Sequence, residues 1–320
     1  MKVVGTNFEP TNIKPQTSNF PTPTSNIIRM RSRFYTTLLL VALCCQGCFT
    51  RWIMTDKEID QHYANKPARP VFTTIKNDSV KLFCASIGSD TLPPLLLIHG
   101  APGGWFSNIS LVDDPELQKR YHIIAVDRPG YNKSKFRNRR RALTSIELQA
   151  IAIHEAMQLN KSGKKGVVYG NSYGAPIALK IAVEYPQEFA HLVLVAGALD
   201  PDNEKFWWFH RYSKGLFVRL SMPRFINTAT DEKFSHAQEL RKLMADWSRL
   251  NIPVTVLQGT ADQIVPPANL DFARRQLQGK QAEFILIEGG GHLLRRSHPQ
   301  IIRDVLLKVS ESLGRQSMSQ

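Results

Sequence analysis

The sequence predicts an α/β fold, a mostly parallel sheet with helices on both faces. Three observations carry this. Short continuous apolar runs recur at 95–98, 123–126 and 192–195, as expected of strands covered on both sides. Segments with helical apolar spacing separate them. The runs lead into loops bearing Gly, Asp or His, which is where ligands gather in such sheets.

Composition removes the competing classes. A hydrophobic fraction of 42% is too high for a disordered chain, and 19 Gly with 19 Pro is too few for a collagen-like one. Four Cys in 320 residues cannot staple a disulfide scaffold. One α/β domain of roughly 250 residues uses most of the length. The net charge of +14 suggests an anionic partner or surface. Residues 1–47 supply +4 of it, and the remainder is still basic at +10.

The elements follow in order. Strand-like runs at 71–76 and 80–85 flank the turn signal Asn77-Asp78-Ser79. Strand 95–98 ends in His99-Gly100, and strand 123–126 ends in Asp127. Residues 144–160 carry helical spacing through Ile146, Ile153 and Met157, with Thr144 and Glu147 as a capping box. Strand 167–169, helix 175–182 and strand 192–195 come next. Strand 252–257, helix 268–277, strand 284–287 and a closing helix 299–313 complete the series. The domain is expected to span 71–320.

The leading residues read differently. Residues 1–29 are polar and aperiodic, an extension that is disordered or precedes the true start at Met30. Residues 30–47 have a basic start, a short apolar core and small residues, the pattern of a secretory signal. Gly47-Cys48 resembles the lipobox of bacterial lipoproteins, which implies lipidation of Cys48 and a membrane-anchored place in the cell envelope. An uncleaved N-terminal anchor and simple secretion are the alternatives. Residues 48–70 are expected as a tether or leading arm.

Four motifs carry chemistry. Gly170-Asn-Ser-Tyr-Gly174 follows a strand and opens a helix, so a tight turn exposes the Ser172 oxygen. His99-Gly-Ala-Pro-Gly-Gly104 follows another strand and aims backbone N–H groups at a developing oxyanion. The expected donors are the N–H groups of Ala101 and Tyr173, with His99, Gly100 and Gly103 shaping the loop. Gly259-Thr-Ala-Asp262 and Gly289-Gly-Gly-His292 place an acid and a base past two further strands. Asp200 and Asp202 are rival positions for the acid. His122, His154 and His191 begin strands or lie in a helix and are expected to be structural.

The order Ser172, Asp262, His292 resembles that of the α/β-hydrolase superfamily over residues 70–315. Asp127-Arg-Pro-Gly-Tyr-Asn-Lys-Ser134 is similar to that family's D-x-x-G-x-G-x-S turn, with Asn132 where a second Gly is common. The resemblance implies Ser172 as nucleophile, His292 as general base and acid, and Asp262 as its orienting acid. It implies an ester or related acyl substrate of small-molecule size. Ser at 172 argues against the Asp-based chemistry of haloalkane dehalogenases and epoxide hydrolases. No metal-ligand spacing, G-x-G-x-x-G or P-loop is present, so no cofactor is implied.

Three alternatives stay open. The loop at 99–104 is similar to that of proline iminopeptidases, which points to an aminopeptidase. A non-catalytic envelope binding lipoprotein could keep the fold. Lys133 to Arg141 holds six basic residues in nine, which suits a solvated loop, an anionic membrane or nucleic acid; nucleic acid is not expected. Residues 201–248 break the alternation and form a short cap insertion rich in Phe, Trp and Met. Its aromatics either line an acyl pocket or bury against the main domain.

Overall fold

The structure, a computed structural model, describes residues 53–137, 144–208 and 210–318. The signal pattern, Cys48, residues 138–143 of the basic loop and Phe209 lie outside the described residues. Among the described residues no helix is long and apolar enough to cross a membrane.

The strands are β1 (Val71–Lys76), β2 (Val80–Ile87), β3 (Pro94–Ile98), β4 (His122–Val126), β5 (Lys135–Phe136), β6 (Gly166–Asn171), β7 (Phe189–Val195), β8 (Val254–Gly259) and β9 (Ala282–Ile287). They form one sheet in the order β1-β2-β4-β3-β6-β7-β8-β9, with β5 on β2. β1, β2 and β5 pair antiparallel, and the other six strands run parallel. This is the α/β-hydrolase fold expected from the sequence.

The period-two alternation of β3 divides the core. Leu96 and Ile98 join one buried cluster, and Leu95 and Leu97 join the other on the opposite face. Helices α2 (Ile146–His154), α3 (Gly174–Glu184) and α5 (Ala268–Gln276) contribute to the first cluster. α1 (Asp56–Tyr63) and α6 (Pro299–Met318) contribute to the second. A strand with both faces covered has no polar side, which is why these runs read as unbroken apolar sequence.

The chain leaves β3 for β4 on one side and returns to β6 on the other. That reversal opens a crevice at the strand C-termini, where sheets of this kind place their ligands. The loops after β3 and β6 meet there, since Ile98 pairs with Gly170.

Several local expectations are corrected. The cap of α2 is Ser145, not Thr144: the Ser145 hydroxyl accepts from Leu148 N at 3.2 Å. The helix does not run to 160 but tightens into a 3₁₀ turn at Glu155–Leu159. The strand expected at 252–257 starts after Pro253 and continues to Gly259, because Gln258 and Gly259 still pair with Leu286 and Ile287. Part of the 48–70 segment is α1, closed by a Thr55–Glu58 capping box. Its Ile59 and Tyr63 are buried, and the Tyr63 hydroxyl donates to Asp113 at 2.8 Å.

Among the described residues between β7 and β8 lie four helices: His210–Ser213, Leu216–Ser221, α4 (Arg224–Lys242) and Met244–Arg249. α4 lies over the crevice, with Phe225, Thr228, Glu232 and His236 on its buried face.

Candidate active site

β6 ends at Asn171, and the next residue turns sharply into α3. Ser172 sits at φ +54°, a left-handed conformation that non-glycine residues rarely adopt. Its N–H donates to Val195 O at 2.9 Å, and its carbonyl accepts from Ala175 N at 3.0 Å. These bonds hold the strained backbone in place. The flanking glycines are required by space. A Cβ on Gly170 would lie 2.4 Å from Gly174 O, and one on Gly174 would lie 2.5 Å from Ile98 O.

Past β8, Asp262 is gripped before it meets any base. Its Oδ1 accepts from Ile264 N and Val265 N, each at 2.9 Å. Its Oδ2 accepts from Gln258 Nε2 at 3.1 Å. Past β9, the loop through Gly289 is tied back by Gly289 N donating to Thr260 Oγ1 at 2.8 Å. This brings His292 Nδ1 to 2.8 Å from Asp262 Oδ2, and His292 Nε2 to 3.0 Å from Ser172 Oγ. Nδ1 against a carboxylate carries the proton, which leaves Nε2 to accept from the serine hydroxyl. A serine bound in this way is set up to attack an electrophilic carbon as its proton leaves. Asp200 lies elsewhere, accepting from Asp202 N and Asn203 Nδ2.

Ala101 and Tyr173 line the same cavity as Ser172. Among the described residues neither backbone N–H has a protein acceptor. Gly100 belongs to this approach, since a Cβ there would meet the Ser172 Cβ at 2.9 Å. Gly103 is closed in by His99 Nδ1 and Ser107 Oγ, each 2.9 Å from a Cβ placed there. His99 is fully buried and points away from the reacting side. Its Nε2 accepts from Arg128 N at 2.9 Å, and its Nδ1 donates to Gly100 O at 2.6 Å. Burial drives its pKa well below the usual histidine value, so it stays neutral.

Asp127 braces the loops with three accepted bonds, from Trp105 N, Asn132 Nδ2 and Lys133 N. Burial nevertheless pushes its pKa up to about 6. Asn132 stands at φ +41°, which explains why a Gly fits that position of the turn. His122 is buried in β4, while His154 bonds Glu188 and His191 bonds Thr255.

Sequence reasoning missed a buried network beneath the site. Arg128, fully buried, grips Glu232 of α4 through two bonds of 2.7 and 3.0 Å. It also donates to Gln149 Oε1 at 2.7 Å and to Gly100 O at 3.2 Å. Tyr131 donates to the same Glu232 at 2.5 Å. One guanidinium thus joins the loop before the oxyanion donors to the insertion helix. Only Gln149, a polar residue on an apolar helix face, signalled it in the sequence. Arg295 was missed as well; it donates to Asn171 Oδ1 at 3.0 Å and to Ser107 O at 2.5 Å.

The cavity above Ser172 holds about 640 Å³. Trp207, Trp208, Val218, Met222 and Ile226 wall it from the insertion, and Ile264 and Val265 from the acid loop. The aromatics of the insertion therefore divide: Trp207 and Trp208 face the cavity, whereas Phe225 and Trp247 are buried. His236 adds a polar point, its Nδ1 3.2 Å from Glu204 Oε1 and its ring 4.5 Å from that of Tyr173. Burial lowers its pKa to about 4. Among the described residues no group of three His, Cys, Asp or Glu could hold a metal ion.

Residues 95–305 match the alpha/beta hydrolase family. The chain belongs to that family. It is 27% identical over 296 residues to Lipase 3 of Moraxella sp. strain TA144, covering 79% of this chain and 90% of the relative. It is 25% identical over 276 residues to Lipase 1 of Psychrobacter immobilis, covering 75% and 84%. Among solved structures it resembles a bacterial membrane phospholipase A with a TM-score of 0.60 at 19% identity, covering 88% of this chain and 99% of the other. That likeness concerns the fold alone. As an alpha/beta hydrolase with lipase relatives, the chain is a hydrolase.

Proposed function

We propose that this hydrolase cleaves a carboxylic ester through an acyl-enzyme on Ser172. One observation carries the reading: the hydrogen-bonded chain from Asp262 through His292 to Ser172 Oγ, at 2.8 and 3.0 Å, opens onto an apolar-walled cavity. In the first step Ser172 Oγ bonds to the acyl carbon while its proton passes to His292 Nε2. The carbonyl oxygen takes up the negative charge and is met by the N–H groups of Ala101 and Tyr173. The C–O bond then breaks, and His292 gives its proton to the departing alkoxide. Water repeats the sequence on the acyl-enzyme, losing a proton to His292, and releases the acid with Ser172 restored. A serine alkoxide suits a carbonyl carbon, and the lipase relatives favour an ester over an amide.

The test uses the full chain with Ser172→Ala and His292→Ala beside it. Fluorophosphonate labels wild type alone, and a panel of short and medium acyl esters is turned over while prolyl amides are not. Turnover of prolyl amides instead would assign an aminopeptidase. A folded wild type that neither labels nor turns over would leave a binding protein. The second part of the reading is attachment to the membrane through a lipid on Cys48, supported by the signal pattern of 30–47. Cys48→Ser then lowers the mass by the lipid and moves the chain out of the detergent phase. Unchanged mass and partition would remove it.

A further inference from the structure

The insertion between β7 and β8 shows water an apolar face. Tyr212, Leu216, Phe217 and Leu220 are all more than half exposed, Phe217 to 79%. Trp208, 78% exposed, stands where this face meets the rim of the Ser172 cavity. Contiguous exposed apolar side chains of this kind mark a contact surface.

Charge narrows the partner. From Lys205 to Arg224 the chain has five Lys or Arg and no carboxylate, and of these Arg219 is paired with Asp231. Arg224 also lines a cleft of about 290 Å³ with Lys81, Lys133 and Lys135, of which Lys133 is ion-paired with Asp56. The apolar face is therefore bordered by cations on two sides. Apolar and aromatic side chains between cations match a bilayer surface with anionic headgroups better than they match another folded protein.

The tether supplies an independent constraint. Ile53 and Met54 line a neighbouring cleft together with Arg224 and Phe225. Cys48 comes five residues before Ile53, and five residues span at most about 18 Å. A domain of this size is roughly 45 Å across. A chain fixed at Cys48 is therefore held with the Arg224 side toward the membrane, because the opposite side lies beyond its reach.

We propose that the insertion face docks on an anionic lipid bilayer, so that the Ser172 cavity opens into the lipid and takes its ester from there. The proposal deepens the hydrolase reading and rests on attachment at Cys48. Docking is read on the Ser172→Ala full chain, so that it does not depend on turnover. Amide exchange is followed in solution, on phosphatidylcholine vesicles, and on the same vesicles containing phosphatidylglycerol. The expected result is slowed exchange over 205–224 and at 133–137 on the anionic vesicles, well beyond that on the neutral ones. Phe217→Ser with Leu220→Ser replaces two exposed side chains outside the cavity. This variant is expected to lose the protection and to hydrolyse a vesicle-borne ester about tenfold more slowly. Its turnover of a short soluble ester stays unchanged.

Three results would overturn the docking. One is solution-like exchange over 205–224 in a chain bound to anionic vesicles. Another is equal protection on neutral vesicles. The third is protection of this face by self-association without any vesicle. Protection without turnover of any ester by wild type would leave the docking standing and remove the hydrolase reading.

Discussion

The strand ends and the insertion meet at one cavity but are built on opposite terms. Ser172 and Asp262 follow fully buried parallel strands and His292 follows the half-exposed edge strand β9, and each is fixed by backbone or side-chain hydrogen bonds. The insertion is helical, carries exposed Phe217 and Leu220, and is joined to the main domain by the buried Arg128–Glu232 pair. The first region links Asp262, His292 and Ser172 by hydrogen bonds of 2.8 and 3.0 Å. The second walls the cavity above Ser172. Substitutions in the first should therefore act on every substrate alike, and those in the second should discriminate.

The largest effect falls on the strand ends. Ser172→Ala is expected to reduce ester turnover by about 10⁴-fold or more without lowering the melting temperature. Asp262→Asn should cost about 10³–10⁴-fold, because Nδ1 of His292 then loses the acceptor that fixes its tautomer. Relief of strain at φ +54° gives Ser172→Gly a further use. A Gly there should be at least as stable as Ala, and a lower melting temperature for Gly would count against a strained turn.

Next comes the junction. Removing one partner of a fully buried ion pair typically costs about 3–5 kcal/mol. Glu232→Ala should therefore lower thermal stability strongly and also slow turnover, since Arg128 donates to Gly100 O beside the oxyanion loop. Arg128→Met with Glu232→Leu removes both charges and should recover much of the stability but not the rate. Full recovery of rate as well would mean the two regions are not coupled through this pair.

How far the sequence was legible follows the same division. Strands covered on both faces must be apolar throughout, so β3, β4 and β7 showed in the bare sequence. The Gly positions of 170–174 showed because backbone approaches of about 2.5 Å tolerate no Cβ. Strand ends were less legible: Gly259 looked like the start of a loop, yet it still pairs with Ile287. The insertion was opaque. Asp231 and Glu232 are neighbouring acids on one amphipathic helix, and nothing local tells them apart. Asp231 meets Arg219 near the surface, whereas Glu232 meets Arg128 in the core. Their difference is set by a loop about a hundred residues away, which spacing along a helix does not encode. Thr144 and Ser145 pose the same problem at short range: both carry hydroxyls able to cap, and backbone geometry chooses Ser145.

Smaller and more selective effects belong to the cavity wall. Trp207→Ala or Met222→Ala should shift the preferred acyl length, with KM changed about tenfold for medium chains and kcat for the shortest ester nearly constant. A uniform fall in kcat over the whole panel would place these side chains in the catalytic geometry instead, and the contrast between the two regions would fail.

The smallest expected effect is on the pH dependence of stability, where the insertion carries one sign through His236 and the strand ends carry both. Burial lowers His236 of α4 to about 4, against an ordinary value of 6.5. Between these values the unfolded chain binds a proton that the folded one refuses, so stability is lost as pH falls from about 6.5 toward 4. Asp127, at the end of β4, is pushed by burial up to about 6 from 3.8. There the folded chain holds the extra proton, so its contribution is greatest in acid and is lost as pH rises through about 6. His99 acts with the sign of His236, since burial lowers it too. Thermal melts of wild type and His236→Gln between pH 4.5 and 6.5 separate these terms. The variant should lose less stability on acidification than wild type. Parallel curves would mean that His236 takes up its proton in the folded state, which would require the pocket beside Glu204 to be wetter than its burial indicates.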